Sequence, residues 1–109
     1  MLFDLRTYRT RPGTLPKQLA LYEELGFEAQ KRHLGNPAFY GVVESGDVNA
    51  YIHLWQYENA ADRETRRKAL YDDADWLAYR QAGAELGYQT EQHNTLLKPA
   101  KFWLPGTRK

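Results

Sequence analysis

Cysteine is absent and methionine occurs once. Without cysteine there is no disulfide framework, no thiolate zinc site and no cysteine nucleophile. No apolar run approaches the ~20 residues that would span a bilayer. Neither sign of charge dominates, since 15 Lys and Arg meet 14 Asp and Glu for a net charge of +1. That balance offers nucleic acid no electrostatic footprint. The opening residues Met1, Leu2, Phe3, Asp4, Leu5 and Arg6 put an acid and a base where a secretory signal needs an unbroken apolar core. The expected compartment is therefore the cytoplasm. G-x-S-x-G, Walker A and G-x-G-x-x-G patterns are missing too. Asp72, Asp73 and Asp75 lack the glycine and terminal glutamate of a calcium loop and read as helix-start acids.

What remains is a chain of 109 residues, 42% hydrophobic and 27% charged, which fits one soluble globular domain over 1–109. Aromatic residues reach 14%, and eight are tyrosines. Tyrosine and tryptophan pair an apolar body with a polar tip, so they suit cavity walls, pocket rims and interfaces.

Residues 2–10, LFDLRTYRT, alternate and read as a strand, stopped by Arg11-Pro12-Gly13. Thr14 is placed to cap a helix from Leu15 to about Arg32, in which Leu15, Leu19, Tyr22, Leu25 and Ala29 recur at helical spacing. Gly26 marks a weak point or close approach in its middle. Residues 38–44 and 48–57 read as an antiparallel hairpin turning at Ser45-Gly46-Asp47. Asn59 caps a helix to about Tyr71, and Asp73 or Asp75 caps a further segment, Trp76–Leu86. Residues 88–97 form a last, polar strand, and 99–109 an irregular tail. The order is the split βαβ arrangement, βαββαβ: an α+β, ferredoxin-like domain with a four-stranded antiparallel sheet and helices on one face.

The third strand has two unlike faces. Ile52 and Leu54, with Phe3 and Leu5, are expected to meet the helices at Leu19, Tyr22, Leu25 and Leu70. Tyr51, His53, Trp55 and Tyr57, beside Asp4, Arg6 and Tyr8, fall on the opposite face. That face is too aromatic to be left in water and too polar for a dry core. The expectation is a two-fold homodimer in which a second copy covers it and closes a partly wet barrel cavity.

The chain also resembles a known family. LRTYRTRPGTL near the N-terminus, HLWQYENAADR at the end of the third strand and RRKALYDDADWLAY after it are similar to NIPSNAP signatures, in order and spacing, from Leu2 to Leu97. The resemblance implies a ferredoxin-like fold in the dimeric α+β barrel group, which includes cofactor-independent monooxygenases, small isomerases and haem-degrading enzymes. It implies no particular reaction.

His53, mid-strand on the ring-rich face, is the acid/base candidate; the alternatives are a metal ligand or a hydrogen bond across the interface. Arg6 is placed either to clamp an anionic group or to pair with Asp4. Tyr8, Tyr51, Trp55 and Tyr57 are the candidate ligand-binding rings. His33 reads as a charge at a helix C-terminus, and the facing of His93 against Gln92 and Asn94 stays open. Three scattered histidines make no sequence-local metal motif. The functional expectation is binding, with or without transformation, of a small hydrophobic or aromatic molecule in the barrel cavity, without a tightly bound cofactor. A non-catalytic protein-interaction module using the Trp103-Leu104 tail is the alternative, and a cofactor-independent or haem-dependent monooxygenase is a third.

Overall fold

The computed structural model describes residues 1–103, and Leu104 of the expected interaction tail lies outside them. Eight elements follow in order: β1 (Leu2–Thr10), α1 (Leu15–Leu25), α2 (Phe27–Leu34), β2 (Phe39–Val42), β3 (Ala50–Tyr57), α3 (Ala60–Tyr71), α4 (Ala74–Leu86) and β4 (Gln89–Leu97). The strands form one antiparallel sheet in the order β2-β3-β1-β4. The two central strands thus carry most of the buried face, and the polar β4 lies at an edge, exposed along its whole length.

The long helix expected from Leu15 is two helices. They break at Gly26, where the chain turns from α1 into α2. A Cβ at Gly26 would stand 2.9 Å from the Tyr79 ring, so only glycine allows α4 to approach this closely. Thr14 occupies the N-cap position of α1 as expected, but its side chain makes no capping bond; its hydroxyl donates to the Arg11 carbonyl at 2.6 Å. Asn59 and Asp73 do cap α3 and α4, each accepting a backbone N–H at 2.8 Å. The hairpin strands are shorter than expected, ending at Val42 and beginning at Ala50.

The main correction concerns the sheet. The helices cover the ring-rich face, not the aliphatic one. Trp55, Tyr57 and Leu70 are buried together with Tyr22, Ala29, Leu34, Trp76 and Tyr79. Ile52, Leu54 and Leu5 lie on the uncovered side and stay partly exposed, as does Phe39, and Leu25 is also exposed. The helix faces that meet the ring-rich face carry polar pairs of their own, Gln18 donating to Tyr79 and Tyr22 to Gln30, so the polar rings on this side of the sheet meet a polar rather than a purely aliphatic lining. At the far end of the open side Trp103 rests on Phe3, ring centroids 6.2 Å apart.

Candidate functional site between sheet and helices

The ring-rich face is therefore covered by the chain's own helices. It is the floor of a cleft of about 340 Å³ inside one chain, roofed by α1, α2 and α4. Antiparallel register assembles the floor. Arg6 of β1 lies opposite His53 of β3, Tyr8 opposite Tyr51, and Tyr40 of β2 faces His53 from the other side. The His53 ring is consequently stacked on both flanks, on Tyr8 (5.1 Å, 5°) and on Tyr40 (4.7 Å, 8°). Tyr8 continues the stack onto Tyr51 at 5.1 Å.

The edges of the imidazole are unlike. Trp55, two residues on along the same face, donates its indole Nε1–H to His53 Nδ1 at 2.5 Å. An indole nitrogen only donates, so Nδ1 must accept and the ring proton sits on Nε2. Among the described residues Nε2 has no hydrogen-bond partner. Burial, and then the nearby Arg6 and Arg67 charges, push the His53 pKa down to about 3. The side chain is a neutral, oriented donor at physiological pH. With the Nδ1 lone pair engaged by Trp55, the Nε2–H is the group that His53 presents.

Arg6 is 4% exposed. Its Nε donates to the Tyr8 hydroxyl at 3.0 Å and its Nη1 to Asp4 at 3.3 Å. The Asp4 pairing foreseen for Arg6 is present, and the cleft-facing position is too. Asp4 is wholly buried, and the same oxygen accepts Arg63 Nε at 3.1 Å. The β4 register answers the open question of facing: Asn94 and Gln92 lie opposite Arg6 and Tyr8, and His93 lies opposite Thr7 on the uncovered side. With its amide oxygen turned toward β1, Asn94 accepts from Arg6 at 2.5 Å.

The tyrosine hydroxyls stay protonated. Burial, reinforced by the neighbouring phenols, raises Tyr40 and Tyr51 far above the ordinary range and brings Tyr79 up to about 12. Two of these hydroxyls accept from amides: Gln18 donates to Tyr79 at 2.8 Å, and Gln89 donates to Tyr51.

Arg6, His53, Tyr8 and Tyr51 all line the cleft. Trp55 and Tyr57 do not; they are sealed in the core, and Trp55 acts only through His53. His33 binds Asp73 at 2.7 Å, far from the cleft lining, and joins α2 to the start of α4. Sequence reasoning missed Tyr40, Gln18, Gln30, Tyr79 and Arg80. A signal for part of them existed: Trp76, Tyr79, Arg80 and Gly83 recur at three- and four-residue spacing, a single stripe on α4. Among the described residues no three His, Asp or Glu side chains gather as a metal ion would need. No helix among them is long and apolar enough to cross a membrane.

The family model described as NIPSNAP matches residues 3–103. The chain belongs to the NIPSNAP family. A NipSnap homolog from Dictyostelium discoideum is 32% identical over 76 residues, covering 70% of this chain and 33% of that protein. The chain thus spans about a third of the length of the curated relative it matches. A crystal structure of a NIPSNAP family protein with unknown function from Agrobacterium tumefaciens is 34% identical, with a TM-score of 0.86 over 94% of this chain and 91% of that one. A putative antibiotic biosynthesis monooxygenase from Nitrosomonas europaea shares the fold alone, at 10% identity and a TM-score of 0.65 over 91% of this chain and 98% of that one. The ferredoxin-like expectation therefore stands, with four helices where two were expected.

Proposed function

We propose that this NIPSNAP domain binds a small, ring-bearing molecule in the cleft between its sheet and its helices. The observation that carries the reading is an open volume of about 340 Å³ bounded by buried polar groups, Arg6 and His53 among them, rather than by aliphatic side chains. Holding such groups together costs stability, since a dry aliphatic core of the same size would desolvate no charge. The space beside His53 favours small-molecule binding over a purely protein-binding role, in which side chains would fill it. Arg6 and His53 orient the ligand, and Tyr8 and Tyr51 contact it; Trp55 and Tyr57 serve by packing beneath them.

The homodimer belongs to the same proposal, moved to the other side of the sheet. Leu5, Ile52, Leu54 and Phe39 form a half-exposed aliphatic face that a second copy would cover. Each protomer then keeps its own cleft. Native mass spectrometry of freshly purified protein tests both parts: the reading expects a dimer carrying a small molecule that is lost from Arg6→Gln. A protein with no bound species, to which a panel of ring compounds adds nothing, would refute the binding role.

A further inference from the structure

We propose that the cleft takes a flat organic anion, its oxygen received by the Arg6 guanidinium and by the Nε2–H of His53. The inference rests on the reading of the cleft as a small-molecule site and names the class of ligand.

Charge is the first argument. Among the described residues Arg6 and Arg80 are the charged ones lining the cleft, and no carboxylate lines it. Asp4 beneath the floor cannot balance the site, because one of its oxygens is shared by Arg6 and Arg63. Two guanidiniums against one buried carboxylate leave a net positive charge at the floor of the cleft. An anion is the ligand that such a place stabilises most.

Donor geometry is the second. Arg6 spends Nε on Tyr8 and Nη1 on Asp4, while Nη2 has no partner among the described residues. His53 has both ring flanks covered and Nδ1 occupied, so the Nε2 edge is what it can offer. Direct register pairing sets these two residues side by side, with Cβ atoms about 5 Å apart by sheet geometry. Two donors on neighbouring strands that line one cleft suit the oxygens of a carboxylate or a delocalised enolate or phenolate. A cation finds no acceptor pair there, and a neutral ligand leaves the guanidinium uncompensated. Ring surface for a flat ligand to pack on comes from Tyr51, Tyr71 and Trp76, which line the same space.

The test compares two probes of nearly one shape, 2-naphthoate and 2-naphthamide, by isothermal titration at pH 7 with wild-type protein and His53→Phe. Wild type should bind the carboxylate at least about tenfold more tightly, which is 1.4 kcal/mol. His53→Phe keeps a flat ring between Tyr8 and Tyr40 but loses the donor, and should narrow that preference several-fold. Equal binding of the two probes, or a preference for the amide, overturns the anion inference while leaving a small-molecule cleft in place. A preference that His53→Phe does not change overturns the assignment of the donor. Binding of neither probe overturns the anion inference and the cleft reading together.

Discussion

Trp55 donates its indole N–H to His53 Nδ1 at 2.5 Å, and this one contact decides what the histidine can be. It fixes the tautomer, removes the lone pair and leaves a neutral N–H at the cleft. Trp55→Phe should therefore loosen the ring without touching any ligand. The histidine ¹⁵N spectrum of wild type should show Nε2 protonated and Nδ1 as acceptor at pH 7. In Trp55→Phe the two tautomers should mix. A wild-type spectrum with the proton on Nδ1 would contradict the assignment.

The pH dependence of stability has a definite sign. His53 has a folded pKa pushed down to about 3, from an ordinary 6.5. Between these values the unfolded chain binds the proton and the folded chain does not, so stability rises with pH through that window. The contribution is whole above pH 6.5 and is lost as pH falls toward 3. It amounts to a few kcal/mol at most, at about 1.4 kcal/mol per pH unit. Urea unfolding at pH 4.5 and 7.5 should show a smaller difference for His53→Gln than for wild type. An identical pH difference in both proteins would contradict this.

Asp4 holds the cationic side of the floor together. Asp4→Asn leaves Arg6 and Arg63 facing each other across a neutral amide, and should cost about 3–5 kcal/mol, the scale for breaking a buried ion pair from one side. Denaturant midpoints measure it. A loss below about 1 kcal/mol would place the pair in the range of ordinary surface ion pairs.

Two glycines should respond oppositely to alanine. At Gly26 the new methyl meets the Tyr79 and Tyr22 rings at 2.9 and 3.1 Å, so Gly26→Ala should destabilise by about 1–3 kcal/mol. At Gly83, inside α4 and on the cleft wall, a Cβ meets no atom within 4 Å. Gly83→Ala should stabilise the helix by roughly 0.5–1 kcal/mol. Gly83→Leu, reaching into the same space, should weaken ligand binding. Thermal melts alongside titrations would show stability and affinity moving apart; a parallel fall of both would contradict the placement.

On the uncovered side of the sheet, Leu54→Lys should shift the chain toward monomer in sedimentation experiments while leaving the cleft ligand in place. Its side chain lies opposite Leu5 and Phe39, away from the helices. Loss of the ligand together with the dimer would mean the two are not independent.

The element order, the antiparallel hairpin and the caps at Asn59 and Asp73 were legible because turn chemistry and periodicity are local. The two faces of β3 were legible for the same reason. Which face the helices would cover was not. Alternation separates Tyr51 and His53 from Ile52 and Leu54, but it carries no sign. Counting aliphatics points to the Ile52–Leu54 side. The lining that meets the ring-rich face is polar and assembled over long range: Gln18 on α1 and Tyr79 on α4, which bond to each other there, lie 61 residues apart in the chain. The same long-range pairing hid Tyr40, whose role depends on β2 lying beside β3 rather than on any pattern within FYGV. Arg6 and His53, which line the cleft, stood out in the sequence because a charged and an imidazole side chain mid-strand are conspicuous in themselves.

The most direct test of where ligand sits is a ¹H–¹⁵N correlation map of the labelled protein during titration with 2-naphthoate. Resonances of Arg6, Tyr8, His53 and the α4 stripe around Gly83 should move, together with the Trp55 indole, while Ile52, Leu54 and Phe39 on the uncovered face stay still beyond their immediate neighbours. Shifts concentrated on Phe39, Leu54 and Leu97, with the Trp55 indole unmoved, would contradict the account.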